Sequence, residues 1–190
     1  NHWKRMLLVA FLGAVTSVVA YTIRAFLKTY LQDFLGYSSE ESFTFTLLSL
    51  FIMIITLPFF GLFADKTGYR RFLISICFII ILTVTPIFIM IANSGDNFLQ
   101  LLMAISMLSL LASAVCAPAY QYAISAFSPE LRYSGVAFSW NAGIALFGGT
   151  TAAISTYLVN EFGDIAPSYY IIAVAIAYLG ITYLTRKDKH

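Results

Sequence analysis

Apolar residues along this chain collect into six long stretches, residues 6–31, 42–63, 72–92, 98–127, 134–159 and 167–184, separated by short polar connections. At a rise of about 1.5 Å per residue, each stretch approaches or exceeds the ~20 residues that carry a helix across about 30 Å of hydrocarbon. Backbone polar groups in lipid must be satisfied within their own segment or in a closed barrel, and the strict alternation of barrel strands is missing. The pattern therefore predicts an all-α integral membrane protein with six transmembrane helices. Its connections carry helix-boundary chemistry. Ser38 and Glu41 stand at capping-box spacing, residues 93–97 form a polar turn, Ser128-Pro129 marks a break, and Pro167 suits the first turn of the last helix.

Composition supports lipid as the solvent: 60% of residues are hydrophobic and 11% charged, with a mean hydropathy of +0.84, against about 25% charged in an average soluble domain. Charge adds an orientation. Nine of the eleven basic residues (Lys4, Arg5, Lys66, Arg70, Arg71, Arg132, Arg186, Lys187 and Lys189) fall at the two ends of the chain and in the second and fourth connections. Six crossings place all of these on one side, which the excess of Lys and Arg marks as cytoplasmic. Asp33, Glu40, Glu41, Asp96, Glu161 and Asp164 gather on the other. The expected location is a bacterial inner membrane with both termini in the cytoplasm. Trp3, beside Lys4 and Arg5, reads as an interfacial anchor, and the first helix is too long for a secretory signal peptide. The net charge of +2 comes from topogenic loops and gives no reason to expect a nucleic-acid partner.

Candidate enzyme chemistry is thin. The two histidines, His2 and His190, lie at the chain ends, which removes a serine–histidine dyad from the membrane interior. No span offers His, Asp or Glu at ligand spacing, and Gly148-Gly149 lacks the strand–loop–helix setting of a phosphate cradle. Cys77 and Cys116 both fall inside spans and read as small buried hydrophobes. A non-enzymatic protein without metal or organic cofactor is expected.

Polarity inside the spans is periodic. Ser17, Tyr21, Arg24 and Lys28 share one face of the first helix. A charge at depth is costly unless it snorkels, pairs or lines a wet cavity. Arg24 lies about 27 Å along the helix from residue 6, so three readings stay open: a substrate cavity, snorkelling, or a pair with Asp33. Lys28 reads as snorkelling. Ser106, Ser109, Ser113, Cys116 and Tyr120 form a gentler stripe on the fourth helix, where Pro118 should free carbonyls by kinking it. The serines fit cavity lining and close packing equally, whereas Tyr120 and Gln121 point to a functional role. Gly135, Ser139 and Gly143 make a small-residue seam on the fifth helix, whose first duty is packing. Asn141, beside that seam with Trp140, needs partners whether it meets a solute or another helix.

The second connection, Gly61-Leu-Phe-Ala-Asp65-Lys66-Thr-Gly68-Tyr-Arg70-Arg71, resembles the cytoplasmic loop motif of the major facilitator superfamily, matching at Gly61, Asp65, Lys66, Gly68 and Arg70. Phe63 stands where leucine is usual and Tyr69 where arginine is usual. A second stretch, from Glu130 and Arg132 through Gly135 and Asn141 to Gly148-Gly149, resembles the fifth helix of the C-terminal half in metabolite:proton symporters. That branch includes proline/betaine, dicarboxylate, citrate and shikimate carriers.

The resemblance implies helices seven to twelve of a twelve-helix carrier, built as a 3+3 inverted repeat, with an N-terminal six-helix half or a second copy of this unit as partner. It implies that the first and fourth helices face a central cavity, making Tyr21, Arg24, Ser113, Tyr120, Gln121 and Asn141 the candidate solute-binding residues. Gly61, Asp65, Lys66, Gly68, Arg70, Arg71, Glu130 and Arg132 become a cytoplasmic gating loop, in which Asp65 faces a helix N-terminus of the other half. The alternative for Asp65 is a local pair with Lys66, Arg70 or Arg132. The expected function is alternating-access symport of a small organic acid or zwitterionic osmolyte, with the proton as coupling ion. Because no carboxylate sits at mid-depth here, the coupling group would lie in the missing half. A homodimer of halves and a membrane sensor without flux remain as alternatives.

Overall fold

A computed structural model of the chain describes residues 2–95 and 97–185. Arg186, Lys187, Lys189 and Asp96, which entered the charge argument, lie outside the described residues. Six helices are long and apolar enough to cross a membrane: α1 His2–Phe34, α2 Ser39–Thr67, α3 Tyr69–Ala92, α4 Phe98–Ser125, α5 Pro129–Phe162 and α6 Pro167–Leu184. No strand occurs among the described residues. The six expected spans are all present, and the helices run past most of the apolar stretches into the connections, because polar end residues carry caps rather than stopping the helix. Only α4 ends early, at Ser125 rather than residue 127.

The caps follow from local chemistry. Ser38 Oγ accepts from the Glu41 N–H at 3.2 Å, and the Glu41 carboxylate accepts from the Ser38 N–H at 3.0 Å, the reciprocal box its spacing predicts. Asn97 accepts from the Gln100 N–H at 3.1 Å to start α4. Pro129 and Pro167 occupy first-turn positions of α5 and α6, where a missing N–H costs nothing. Gly68, at φ +86°, lets α2 end and α3 begin in a single residue.

Helix pairing has an internal symmetry. α1 packs most extensively on α5 and then on α6, while α4 packs most extensively on α2 and then on α3; α1 also meets α4, and α3 meets α6. Exchanging each helix for the one three places on maps this set of contacts onto itself, as two repeated three-helix units require. α1 and α4 are thereby the central helices. Their buried faces hold Leu12, Val15 and Val19 on one and Leu101, Ile105, Leu108 and Val115 on the other.

Two spans depart from regular α geometry. α1 passes through π-turns at Thr22–Phe26 and Tyr30–Phe34, and α5 through one at Ile144–Gly148. α4 continues as helix through Pro118.

Candidate functional site

The polar stripe of α1 divides by depth. Ser17 is buried, Tyr21 is half-buried, and Arg24 and Lys28 are exposed. Ser17 donates to the Ala14 carbonyl at 3.0 Å and lies where a Cβ on Gly148 of α5 would come within 2.6 Å of its own. It therefore belongs to the α1–α5 contact. Arg24 projects from the π-turn Thr22–Phe26, a local widening of the helix of the kind found often at functional sites. Cys116 Sγ of α4 lies 3.9 Å from the Thr16 carbonyl of α1. Cys116 of the α4 stripe thus touches α1 at the residue before Ser17. Lys28 holds its ammonium over the Phe43 ring, 5.8 Å from the centroid, a cation–π seat suited to an interfacial lysine. At the other end of α1, Trp3 is exposed with Lys4 Nζ 5.8 Å from its centroid.

The serines of α4 are settled by their partners. Ser106 and Ser109 donate to Leu102 and Ile105 carbonyls of their own helix at 2.6 and 2.8 Å. Ser113, wholly buried, donates across to the Met53 carbonyl of α2 at 3.1 Å. Ser113 therefore satisfies its hydroxyl within the bundle, a packing role that needs no water-filled space. Tyr120 and Gln121, by contrast, are exposed.

Tyr120 meets Trp140 of α5 edge to face, centroids 5.5 Å apart. Around this pair opens a groove of about 550 Å³ lined by Tyr120, Ile124, Arg132, Val136, Trp140 and Asn141, among others. It brings together three residues singled out in the sequence, Tyr120, Arg132 and Asn141. Gln121 and Glu130 are exposed but not part of its lining. Asn141 donates to the Ala137 carbonyl of its own helix at 2.7 Å and presents an exposed side chain. Exposed polar groups here cannot face lipid cheaply, so this surface needs water or protein against it.

The seam on α5 is longer than expected and partly elsewhere. A Cβ on Gly143 would run into the Ala10 carbonyl of α1, while one on Gly13 of α1 would sit 2.9 Å from the Trp140 carbonyl. Gly148 continues the seam against Ser17. Five residues of regular α-helix would turn Gly148 away from the face of Gly143; the π-turn between them, wider per turn, keeps both toward α1. Ser139 is buried. Gly135 faces the Phe127 ring, 2.7 Å from where a Cβ would stand, so it packs against an aromatic side chain rather than a helix backbone.

Two tyrosines that the sequence did not single out hold this region. Tyr170 of α6 donates to the Phe147 carbonyl in the π-turn of α5 at 3.0 Å. Tyr30 of α1 donates to the Asp164 carbonyl between α5 and α6 at 2.8 Å. No spacing rule reveals either, since both partners are main-chain groups distant in sequence.

In the second connection Asp65 and Lys66 are exposed, and Asp65 accepts from Tyr69 Oη at 2.7 Å. Tyr69, at the position where the resemblance leads one to look for arginine, therefore orients the carboxylate through a neutral hydrogen bond. Arg70, half-buried, donates through Nη2 to the Thr182 carbonyl of α6 at 3.0 Å, tying α3 to the end of α6. Gly61 is half-buried, and Arg71 and Arg132 are exposed.

Comparison with known proteins gives a consistent result. Residues 9–190 match the Major Facilitator Superfamily. The chain is 28% identical over its whole length to the ectoine/proline transporter ProP of Corynebacterium glutamicum, of which it spans 38%. It is 30% identical over 88% of its length to a putative proline/betaine transporter of Staphylococcus aureus, spanning 36% of that protein. It is 29% identical over 98% of its length to the citrate-proton symporter of Klebsiella pneumoniae, spanning 42%. The chain thus covers about two-fifths of the length of these relatives. No solved structure matches it.

Proposed function

We propose that this chain, which belongs to the Major Facilitator Superfamily, supplies one six-helix half of a secondary carrier that moves a small carboxylate-bearing solute across a bacterial inner membrane by alternating access. The observation that carries the reading is Arg24: an exposed guanidinium on a central helix, projecting from a π-turn. A guanidinium offers a planar fork of donors matched to a carboxylate. The relatives' names are those of carriers for ectoine, proline, betaine and citrate, solutes that share that group. Tyr21 on the same face, with Tyr120, Trp140 and Asn141 further toward the Arg132 end, lines the rest of the solute's route.

The surface carrying these residues meets the other six-helix half of the carrier. Asp65, oriented by Tyr69, faces the positive N-terminal end of a helix there, a contact worth about 0.3–1 kcal/mol and up to about 2 when partly buried. Breaking it helps open the side on which Lys66 and Arg132 lie, which is the cytoplasmic side. The acidic side chains among the described residues stand at helix ends or in connections, so a proton-coupling carboxylate belongs to the rest of the carrier.

The test is uptake by the full-length protein in proteoliposomes, screened first with labelled organic acids and zwitterionic osmolytes. Arg24→Ala should cut uptake at least about ten-fold, as loss of a charge-assisted hydrogen bond implies, with membrane expression unchanged. Undiminished uptake would remove Arg24 from the solute's path. Specific binding with no flux at all would make the protein a sensor instead.

A further inference from the structure

Two grooves flank the start of α3, and Arg71 lines both. One, of about 480 Å³ between α3 and α6, is lined by Arg70, Arg71, Ile74, Phe78, Leu179 and Tyr183, with Thr182. The other, of about 730 Å³ between α2 and α3, has Lys66 and Arg71 at its polar end and Phe59, Phe63, Phe72 and Ile79 along its walls. From these grooves we infer that α3 carries a binding site for an anionic glycerophospholipid, its phosphate held by Arg70 and Arg71 and its acyl chains laid in the apolar channels on either side.

The arrangement matches both parts of such a molecule. Arg70 is fixed by the Thr182 carbonyl, which uses one of the five N–H donors of its guanidinium. Beside it Arg71 is exposed, and both forks suit phosphate oxygens. Below them runs an exposed ridge of α3, Arg71, Ser75, Phe78 and Leu82, at four-, three- and four-residue steps. Phe78 is 55% and Leu82 73% exposed, so the surface leading away from the charges is apolar and open, as a lipid tail requires and a soluble anion does not. Asp65, the nearest acid in the connection, is engaged by Tyr69, which lessens its competition for the arginines. Basic pockets between membrane helices at this level are where anionic headgroups bind. The inference extends beyond the transport reading and needs that α3 crosses a bilayer with its Arg70–Arg71 end on the cytoplasmic side.

Native mass spectrometry of the full-length protein in mild detergent, offered equal amounts of phosphatidylglycerol and phosphatidylcholine, tests it. Phosphatidylglycerol should be retained at least about five-fold over phosphatidylcholine, and Arg71→Gln should lower that retention about five-fold. Arg71 is exposed, so its replacement spares the fold. Arg132→Gln, removing a charge at the same end of the bundle, should leave retention unchanged, and millimolar inorganic phosphate should not displace the lipid. Equal retention of the two lipids by the unaltered protein would overturn the site. So would an Arg71→Gln protein that keeps its lipid, or displacement by phosphate, which would make the grooves a free-anion site.

Discussion

The α1–α5 and α2–α4 interfaces occupy equivalent places in the two repeats, yet they are built from different chemistry. On the α1–α5 side, Gly13 and Gly143 bring main chain against main chain, and Gly148 makes room for the Ser17 side chain. On the α2–α4 side, contact runs through side chains: Ser113 reaches the Met53 carbonyl, and Phe45 packs on Phe98 with centroids 5.1 Å apart. In lipid there is no hydrophobic drive between helices, so an interface is made by fit and by polar contacts. Close backbone approach and interdigitated side chains are two solutions to that one requirement. The difference also tracks where the helices bend their own rules. Both partners of the glycine interface carry π-turns, while α2 and α4 carry an internal proline each and remain α-helical.

If backbone proximity is what holds α1 to α5, Gly143→Ala should be the most damaging single methyl in the chain. A Cβ there meets the Ala10 carbonyl, which cannot swing aside, so a loss of about 3 kcal/mol, the upper end for overpacking, is expected in thermal or denaturant unfolding in detergent. A loss below about 0.5 kcal/mol would mean that the helices slide apart freely.

Gly148→Ala should cost less, about 1–2 kcal/mol, because the atoms it meets belong to the Ser17 side chain. Ser17→Gly should recover part of that loss in the double variant, a coupling that independent sites would not show. Across the pseudo-symmetric interface, Ser113→Ala removes one hydrogen bond, and about 0.6 kcal/mol is the scale for interhelical bonds in membranes. A cost as large as that at Gly143 would erase the distinction between the two interfaces. Smallest of all, Phe51→Ala on α2 should shift stability by no more than about 0.5 kcal/mol, since that ring is 63% exposed.

The two polar stripes show how far periodicity can be read. Spacing correctly put Ser106, Ser109, Ser113 and Tyr120 on one face of α4, but the serines turn to carbonyls while Tyr120 meets Trp140. A hydroxyl can be satisfied by its own helix, so a stripe of serines carries no information about water. A guanidinium in a span is costly unless it snorkels, pairs or lines a wet cavity, so Arg24 stands out in the sequence where the serines do not. The α5 seam was legible at Gly143 but broke off before Gly148, because a pattern search at four-residue steps cannot anticipate an inserted π-turn. Gly135 satisfied the same search and serves a different neighbour.

The number of spans, the Ser38–Glu41 box and the prolines that begin α5 and α6 were written in the sequence because each depends on residues adjacent along the chain or on transfer from water to oil. Hydropathy ranks α1 and α2 alike, although α1 is mostly buried in the bundle and α2 mostly exposed. Which apolar helix becomes central is decided by surface shape, by Gly13 and the alanines and valines that admit neighbours around α1 and the phenylalanines and leucines that point α2 outward. The tie from Arg70 to Thr182 and the bonds from Tyr30 and Tyr170 join groups far apart in the chain. They come into being only when six helices have packed, since only then do those carbonyls and side chains share a place.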